Sequence, residues 1–162
     1  MPVKFRIIDK GWKRILRQMR LMDKSFTKVG VQQDTTRKDS EVSDMVLVAM
    51  WNEFGTKNIP ERSFIRETVD KKKKQIFGLK KKMYEDILDG QKSTRRALEI
   101  IGEYVQSQTQ LTIKRKKSPP NALSTQRAKG RRLGKKSGRL VDNPLIDTGQ
   151  LIQSIRHVEV IK

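Results

Sequence analysis

His157 is the only histidine in the chain, and there is no cysteine, so the residue types that do nucleophilic or metal chemistry are nearly absent. A zinc site would have to draw its remaining ligands from carboxylates, an unusual donor set. Of the carboxylates, Glu61, Glu67 and Glu99 each lie within a turn of basic residues, where ion pairing is the expectation. Glu85 and Asp86 are adjacent, but neighbours on a helix do not face one another, and Lys81 and Lys82 stand four residues before them. That pattern is solvated charge rather than an acid/base pair. "KGRRLG", Lys129 to Gly134, is too short and too basic for a phosphate-cradling loop. Glu53 with Arg62 or Arg66 reads as an ion pair bracing a turn. The residues therefore point to no catalytic, cofactor or metal site, and the chain is not expected to be an enzyme.

The elements around Glu53 carry more information. Val42, Met45, Val46, Ala49 and Glu53 keep helical spacing, with Ser40 or Ser43 as a start, and deliver Phe54 to a break. Gly55 fits a helix stop, because glycine enters the left-handed region without a Cβ penalty. Ile59 precedes Pro60 and is biased to an extended conformation. Ser63 stands where an N-cap belongs, ahead of Phe64 and a new apolar repeat. Residues 51–66 thus read as a helix–turn–extended–helix corner, with Phe54 and Phe64 pinning its two ends to one core.

The same corner carries a resemblance. "NEFGT…IPERSFIR" (Glu53, Phe54, Gly55, Thr56, Ile59, Pro60, Arg62, Phe64, Arg66) resembles the HEFGT…IPARPFLR segment of the neck and tail-completion (virion morphogenesis) proteins of tailed bacteriophages. "PLIDTGQLIQSI", which opens on Pro144, Leu145, Ile146, Asp147, Thr148 and Gly149, is similar to that family's PLIDTG-L--SI ending. The two stretches stand in family order and cover about a fifth of the chain. Ser63 stands where the family motif often has proline, and Asn52 where it often has histidine. The resemblance implies a compact α+β virion subunit at the head–tail junction, in a neck, tail-completion or tail-terminator layer. It implies a homo-oligomeric ring, expected to be a hexamer, between neck, tail-tube or head-closure proteins, with DNA passing through the lumen.

Composition sets the outer bounds. At 162 residues the chain suits one domain, 1–162. Apolar residues make up 35% and charged residues 34%, so the core is thin for the length and part of the chain is unpacked or packs only on a partner. Thirty-seven Lys and Arg against 18 Asp and Glu leave +19, which predicts salt-sensitive attraction to polyanions. No apolar run reaches the roughly 18 residues of a membrane span, and the N-terminus lacks the apolar core of a secretory signal. A protein made in the cytoplasm with no membrane partner follows as an expectation, and the resemblance implies that the cytoplasm is a host's and that its final place is the virion.

The remaining pattern predicts an α+β fold, a small mixed or antiparallel sheet packed against several helices, one of them long, with a flexible basic loop. Val3–Ile8, Phe26–Val31 and Ile155–Ile161 read as strands, with Gly30 as a bulge or close approach. Trp12, Ile15, Leu16, Met19 and Met22 form a helical stripe read as core. A long helix runs from Ser63 to about Asp89, and another follows a Ser93 or Thr94 cap, the two forming an antiparallel hairpin. Asp147 or Thr148 caps the segment that resumes at Leu145, and Gly149 fits closely packed backbone. Lys114 to Arg139 holds eleven basic residues, no acidic ones, two prolines and three glycines. It reads as a mobile arm at about 114–143, either a solvated loop or a segment that orders against a neighbouring subunit or DNA. Lys114, Arg115, Lys116, Lys117, Arg131, Arg132, Lys135 and Lys136 are its candidate contacts. The alternative function is a basic nucleic-acid-binding module, although no RRM, KH or zinc-finger signature is present.

Overall fold

Two strands, far apart in sequence, close the fold from its two ends. A computed structural model describes residues 11–32, 41–132 and 143–162. The expected strand Val3–Ile8 lies outside them, as do Lys135 and Lys136. β1 (Phe26–Val31) pairs antiparallel with β2 (Ile155–Val160), from Phe26 opposite Val160 to Val31 opposite Ile155. Around this ribbon the described residues form α1 (Trp12–Lys24), α2 (Glu41–Phe54), α3 (Ile65–Leu88), α4 (Thr94–Arg115), α5 (Leu123–Arg132) and α6 (Gln150–Ser154). The fold is α+β, and its sheet is antiparallel.

α3 and α4 form the expected hairpin, and α4 also lies across the sheet. Gly102 makes that crossing possible. A Cβ there would sit 2.6 Å from His157 Cδ2 and 2.8 Å from Thr27 Oγ1, so only a bare backbone lets helix and ribbon approach this closely. Gly30, by contrast, has open space around it and sits in regular register, so it is neither a bulge nor a close approach.

Ser93 caps α4 as its sequence suggests, its Oγ accepting from Arg96 N. The hairpin turn is then tied to α1. Arg14 donates to the Gly90 carbonyl at 2.8 Å, while Gln18 accepts from Thr94 N and its carbonyl from Thr94 Oγ1. Residues 14, 18 and 22 share one side of α1, and Met22 packs against Met83, Ile87 and Ala97. That choice of side corrects the reading of the Trp12 stripe as core for Trp12 and Met19, while Met22 of the same stripe packs as expected. Trp12 and Met19 are 62% and 42% exposed, and α1 buries no residue fully.

The main core gathers Ala49, Phe64, Ile113, Leu145, Leu151 and Ile155, flanked by Val31, Met45, Ile65, Ile146 and Ile152. The basic stretch also differs from its expectation as a loop. Its first residues complete α4, and residues 123–132 form α5. Buried Lys129 supplies the physical reason, its Nζ donating to the carbonyls of Asn143 and Ile146 at 2.9 Å each, while buried Gln126 donates to the Asn121 carbonyl. Tertiary hydrogen bonds, not apolar burial, hold this helix.

Candidate functional site

The corner at 52–66 is built on one buried carboxylate. α2 ends where Gly55, at φ +75°, turns the chain and donates to the Trp51 carbonyl. A Cβ at Gly55 would lie 3.0 Å from Glu61 N, so glycine is required both for its dihedral and for the close return of the chain. The turn then closes on Thr56, whose amide donates to the Ile59 carbonyl and whose Oγ1 accepts from the amides of Asn58 and Ile59.

From the last turn of α2, Glu53 reaches across to the start of α3. Its Oε2 accepts from Phe64 N at 2.8 Å and Ile65 N at 3.0 Å, and its Oε1 from Arg66 N at 2.9 Å. These are orphan donors at a helix N-terminus, where a negative charge also meets the positive end of the helix dipole. Ser63 is therefore not the cap, and the N-cap position belongs to Phe64 with no side-chain cap of its own. The expected ion pair with Glu53 is corrected in the same way for Arg66. Arg66 meets Glu53 through its backbone N–H and gives its guanidinium to Glu61 at 3.2 Å.

Arg62 holds the other side of the corner. Its amide donates to the Asn52 carbonyl at 2.6 Å, and its guanidinium donates to Pro119 O at 2.7 Å, Pro120 O at 2.9 Å and Asn52 Oδ1 at 3.3 Å. It is 5% exposed. The two adjacent prolines of the basic stretch thus present carbonyls to the corner, a role that nothing in their own spacing signals.

The two aromatic ends of the corner part company. Phe64 is fully buried in the main core, whereas Phe54 is 67% exposed with the Arg66 guanidinium 5.9 Å above its ring. The reading that both pin the corner to one core is corrected for Phe54. Phe54 stands about 100° further round α2 than Glu53, and with Glu53 turned inward to cap α3 it falls on the helix's open side.

The second resembled stretch lands on the same core. Leu145 is buried beside Phe64, and Pro144 is buried with it. Ile146 closes a turn by donating to the Asn143 carbonyl. Asp147 forms an ion pair with Arg132 of α5, and Thr148 Oγ1 accepts from Gln150 N at 3.4 Å, but the N-cap of α6 is Gly149 with no side-chain cap, so the expected cap at Asp147 or Thr148 is corrected. Gly149 has φ +87° but no atom nearer than 3.7 Å to a Cβ. Its reason is the left-handed dihedral, not close packing as expected.

Of the candidate basic contacts, Lys114, Arg115, Lys117, Arg131 and Arg132 are exposed. Lys116 is bound to Glu67, which also takes Lys71 at 2.5 Å. Lys116 foremost, and then Lys71, hold the Glu67 carboxyl below its ordinary value against the opposing effect of burial. Beside this cluster an open groove of about 610 Å3 is lined by Lys71, Lys72, Arg115, Lys116 and Lys117. His157 is tied to Gln106 Oε1 at 2.6 Å through Nδ1 and to Glu159 at 3.3 Å through Nε2. Among the described residues no cluster of three His, Cys, Asp or Glu could hold a metal ion, and no helix is long and apolar enough to cross a membrane.

No protein-family model, curated protein or solved structure matches the chain.

Proposed function

We propose that this chain is a structural subunit of a tailed-bacteriophage virion at the head–tail junction, a neck, tail-completion or tail-terminator ring component that helps join or complete the tail and lets DNA pass. The observation that carries the reading is the Glu53 carboxylate on the amides of residues 64–66. It joins the "NEFGT" half of the resembled motif to its "SFIR" half, and Phe64 then meets Leu145 of the second motif in one core. The residues that carry the resemblance form one physical unit. Function would reside in contacts between copies and with adjacent layers, since a closed ring repeats one pair of patches around its axis.

The groove at the end of α4 supports a second reading, a nucleic-acid-binding module. Its lysines and Arg115 offer phosphate contacts that carry no sequence information. Light scattering of nuclease-treated protein at low and high salt separates the two. A ring-sized oligomer that survives high salt, visible as an annulus by negative-stain microscopy, supports the virion reading. A monomer whose mass shifts only with DNA, and loses that shift in salt, overturns it in favour of the second.

A further inference from the structure

α2 is unlike the rest of the chain. Its charged residues are Glu41, Asp44 and Glu53, with no Lys or Arg in 14 residues, although the chain holds 37 of them in 162. One side of the helix carries Ala49 and Glu53 into the protein. The other leaves Val46, Leu47, Met50, Trp51 and Phe54 exposed at 37%, 41%, 49%, 43% and 67%. Positions 47, 50, 51 and 54 fall on one continuous helical stripe. With aromatic side chains presenting about 150–250 Å2 each, the stripe exposes on the order of 500 Å2 of apolar surface, the upper range for a patch that a monomer keeps open. A stable interface takes about 800 Å2 from each partner, so the stripe supplies more than half of one side.

α3 has a second open face of different character. Val69, Phe77, Tyr84 and Leu88 are 44%, 58%, 50% and 43% exposed. Exposed Lys73, Lys80 and Lys81 stand between them along the same side, Lys80 with its ammonium 5.8 Å from the Phe77 ring. This face carries lysines, with one exposed carboxylate, Asp70, among them, whereas the exposed stripe of α2 at 46, 47, 50, 51 and 54 is wholly apolar and Glu53 is turned inward. Pairing α3 with α3 across two copies would set lysine against lysine, whereas α2, which holds no Lys or Arg, brings no cation to that face.

We propose that the exposed stripe of α2 docks on the outward face of α3 of a second copy of this chain, Trp51 and Phe54 packing among Phe77 and Tyr84. Each subunit then uses two different patches, the heterologous contact that closes into a ring or grows into a filament. The inference deepens the ring reading by naming its contact, and it rests on that reading.

Trp51→Glu and Phe77→Glu test it. Both positions are exposed, so at a protein concentration too low for association urea midpoints near wild type are expected and would confirm folding. Association by sedimentation should fall at least tenfold for each variant alone. An equimolar mixture of the two should form a one-to-one dimer and grow no further, because one competent joint remains. A reading independent of those side chains comes from cross-linking, the chain having no cysteine of its own. Met50→Cys mixed with Lys80→Cys should be captured as a heterodimer by a bismaleimide, and neither alone should give comparable yield. Capture by Met50→Cys alone, or a wild-type oligomer untouched by either glutamate, would overturn the α2–α3 contact and leave the ring reading standing. A wild-type chain that stays monomeric at its highest soluble concentration would overturn both.

Discussion

Glu53→Gln tests the corner most directly, because the two side chains differ in charge and in one donor but hardly in shape. In the wild type the carboxylate, 7% exposed, accepts three backbone N–H groups, two on Oε2 and one on Oε1. Glutamine can keep its oxygen on Phe64 N and Ile65 N, but its amide group then turns N–H donors toward Arg66 N. One bond is lost outright and two lose their charge assistance. Hydrogen bonds to charged groups contribute about 1.5–3 kcal/mol each, against roughly 1 for neutral pairs. Loss of the charge at the helix start removes up to about 1 kcal/mol more. Because bonds to one carboxylate do not contribute additively, only lower bounds follow: the expected destabilisation is at least about 2 kcal/mol for Gln and at least about 3 kcal/mol for Glu53→Ala, which leaves all three donors without a side-chain acceptor. Equilibrium urea unfolding followed by circular dichroism measures it, as a lower midpoint at unchanged slope. Glu61→Gln is the control, since its ion pair with Arg66 is half-exposed and should cost no more than about 0.5 kcal/mol. If Glu53→Gln unfolds within about 0.5 kcal/mol of wild type, within the usual range of surface substitutions, the carboxylate is not what holds the corner and the argument built on it fails.

A pair of glycines should respond with opposite signs. Gly78→Ala, in α3 with open space around its Cβ position, should stabilise by about 0.5–1 kcal/mol, whereas Gly102→Ala should destabilise by about 1–2 kcal/mol as His157 and Thr27 are pushed aside; equal urea midpoints would refute the close crossing of α4 over the sheet. Lys116→Met should cost about 0.5–1 kcal/mol at neutral pH. Because folding depresses the Glu67 pKa, that contribution is complete above the ordinary carboxylate value and lost as pH falls through the depressed one, so the two unfolding curves should converge in acid; a constant gap down to pH 2 would count against the pair. Lys129→Met leaves the carbonyls of Asn143 and Ile146 without its ammonium and should cost about 2–3 kcal/mol, with faster tryptic cleavage after Arg131 and Arg132; unchanged cleavage and stability would mean that α5 is held otherwise.

Where local periodicity and turn chemistry decide an element, the sequence was sufficient. β1 falls on the expected residues 26–31, α3 runs 65–88 against an expected 63–89, and the cap of α4 is Ser93, one of the two residues expected there. Readings that depend on which face meets a neighbour went differently. Trp12, Met19 and Met22 belong to one apolar stripe, yet of the three only Met22 docks, because Arg14 and Gln18 on its side of the helix satisfy polar groups at the α3–α4 turn. Phe54 and Phe64 are the same residue type in one motif, and only the inward turn of Glu53 separates the exposed ring from the buried one. α5 was hidden because its order comes from Lys129, a residue that composition counts as solvated charge. The signal that could have found the α2 surface was present throughout as fourteen residues without a basic side chain in a chain of net charge +19.

That composition bears on why the core is thin. The described chain buries few large apolar side chains completely, among them Phe64, Ile113 and Ile155, while Trp51, Phe54, Phe77 and Tyr84 stay open. Leaving such rings in water forgoes about 1.5–3 kcal/mol for each large side chain that could be buried. A monomer selected only for its own stability would place them inside or replace them. Their retention on two helices, one with only acidic charges and one rich in lysine, fits a chain whose folding ends when its neighbour docks. On that logic assembly should raise thermal stability along with mass. Melting temperature should climb with protein concentration for the wild type and stay flat for Trp51→Glu, a difference that a self-sufficient monomer would not show.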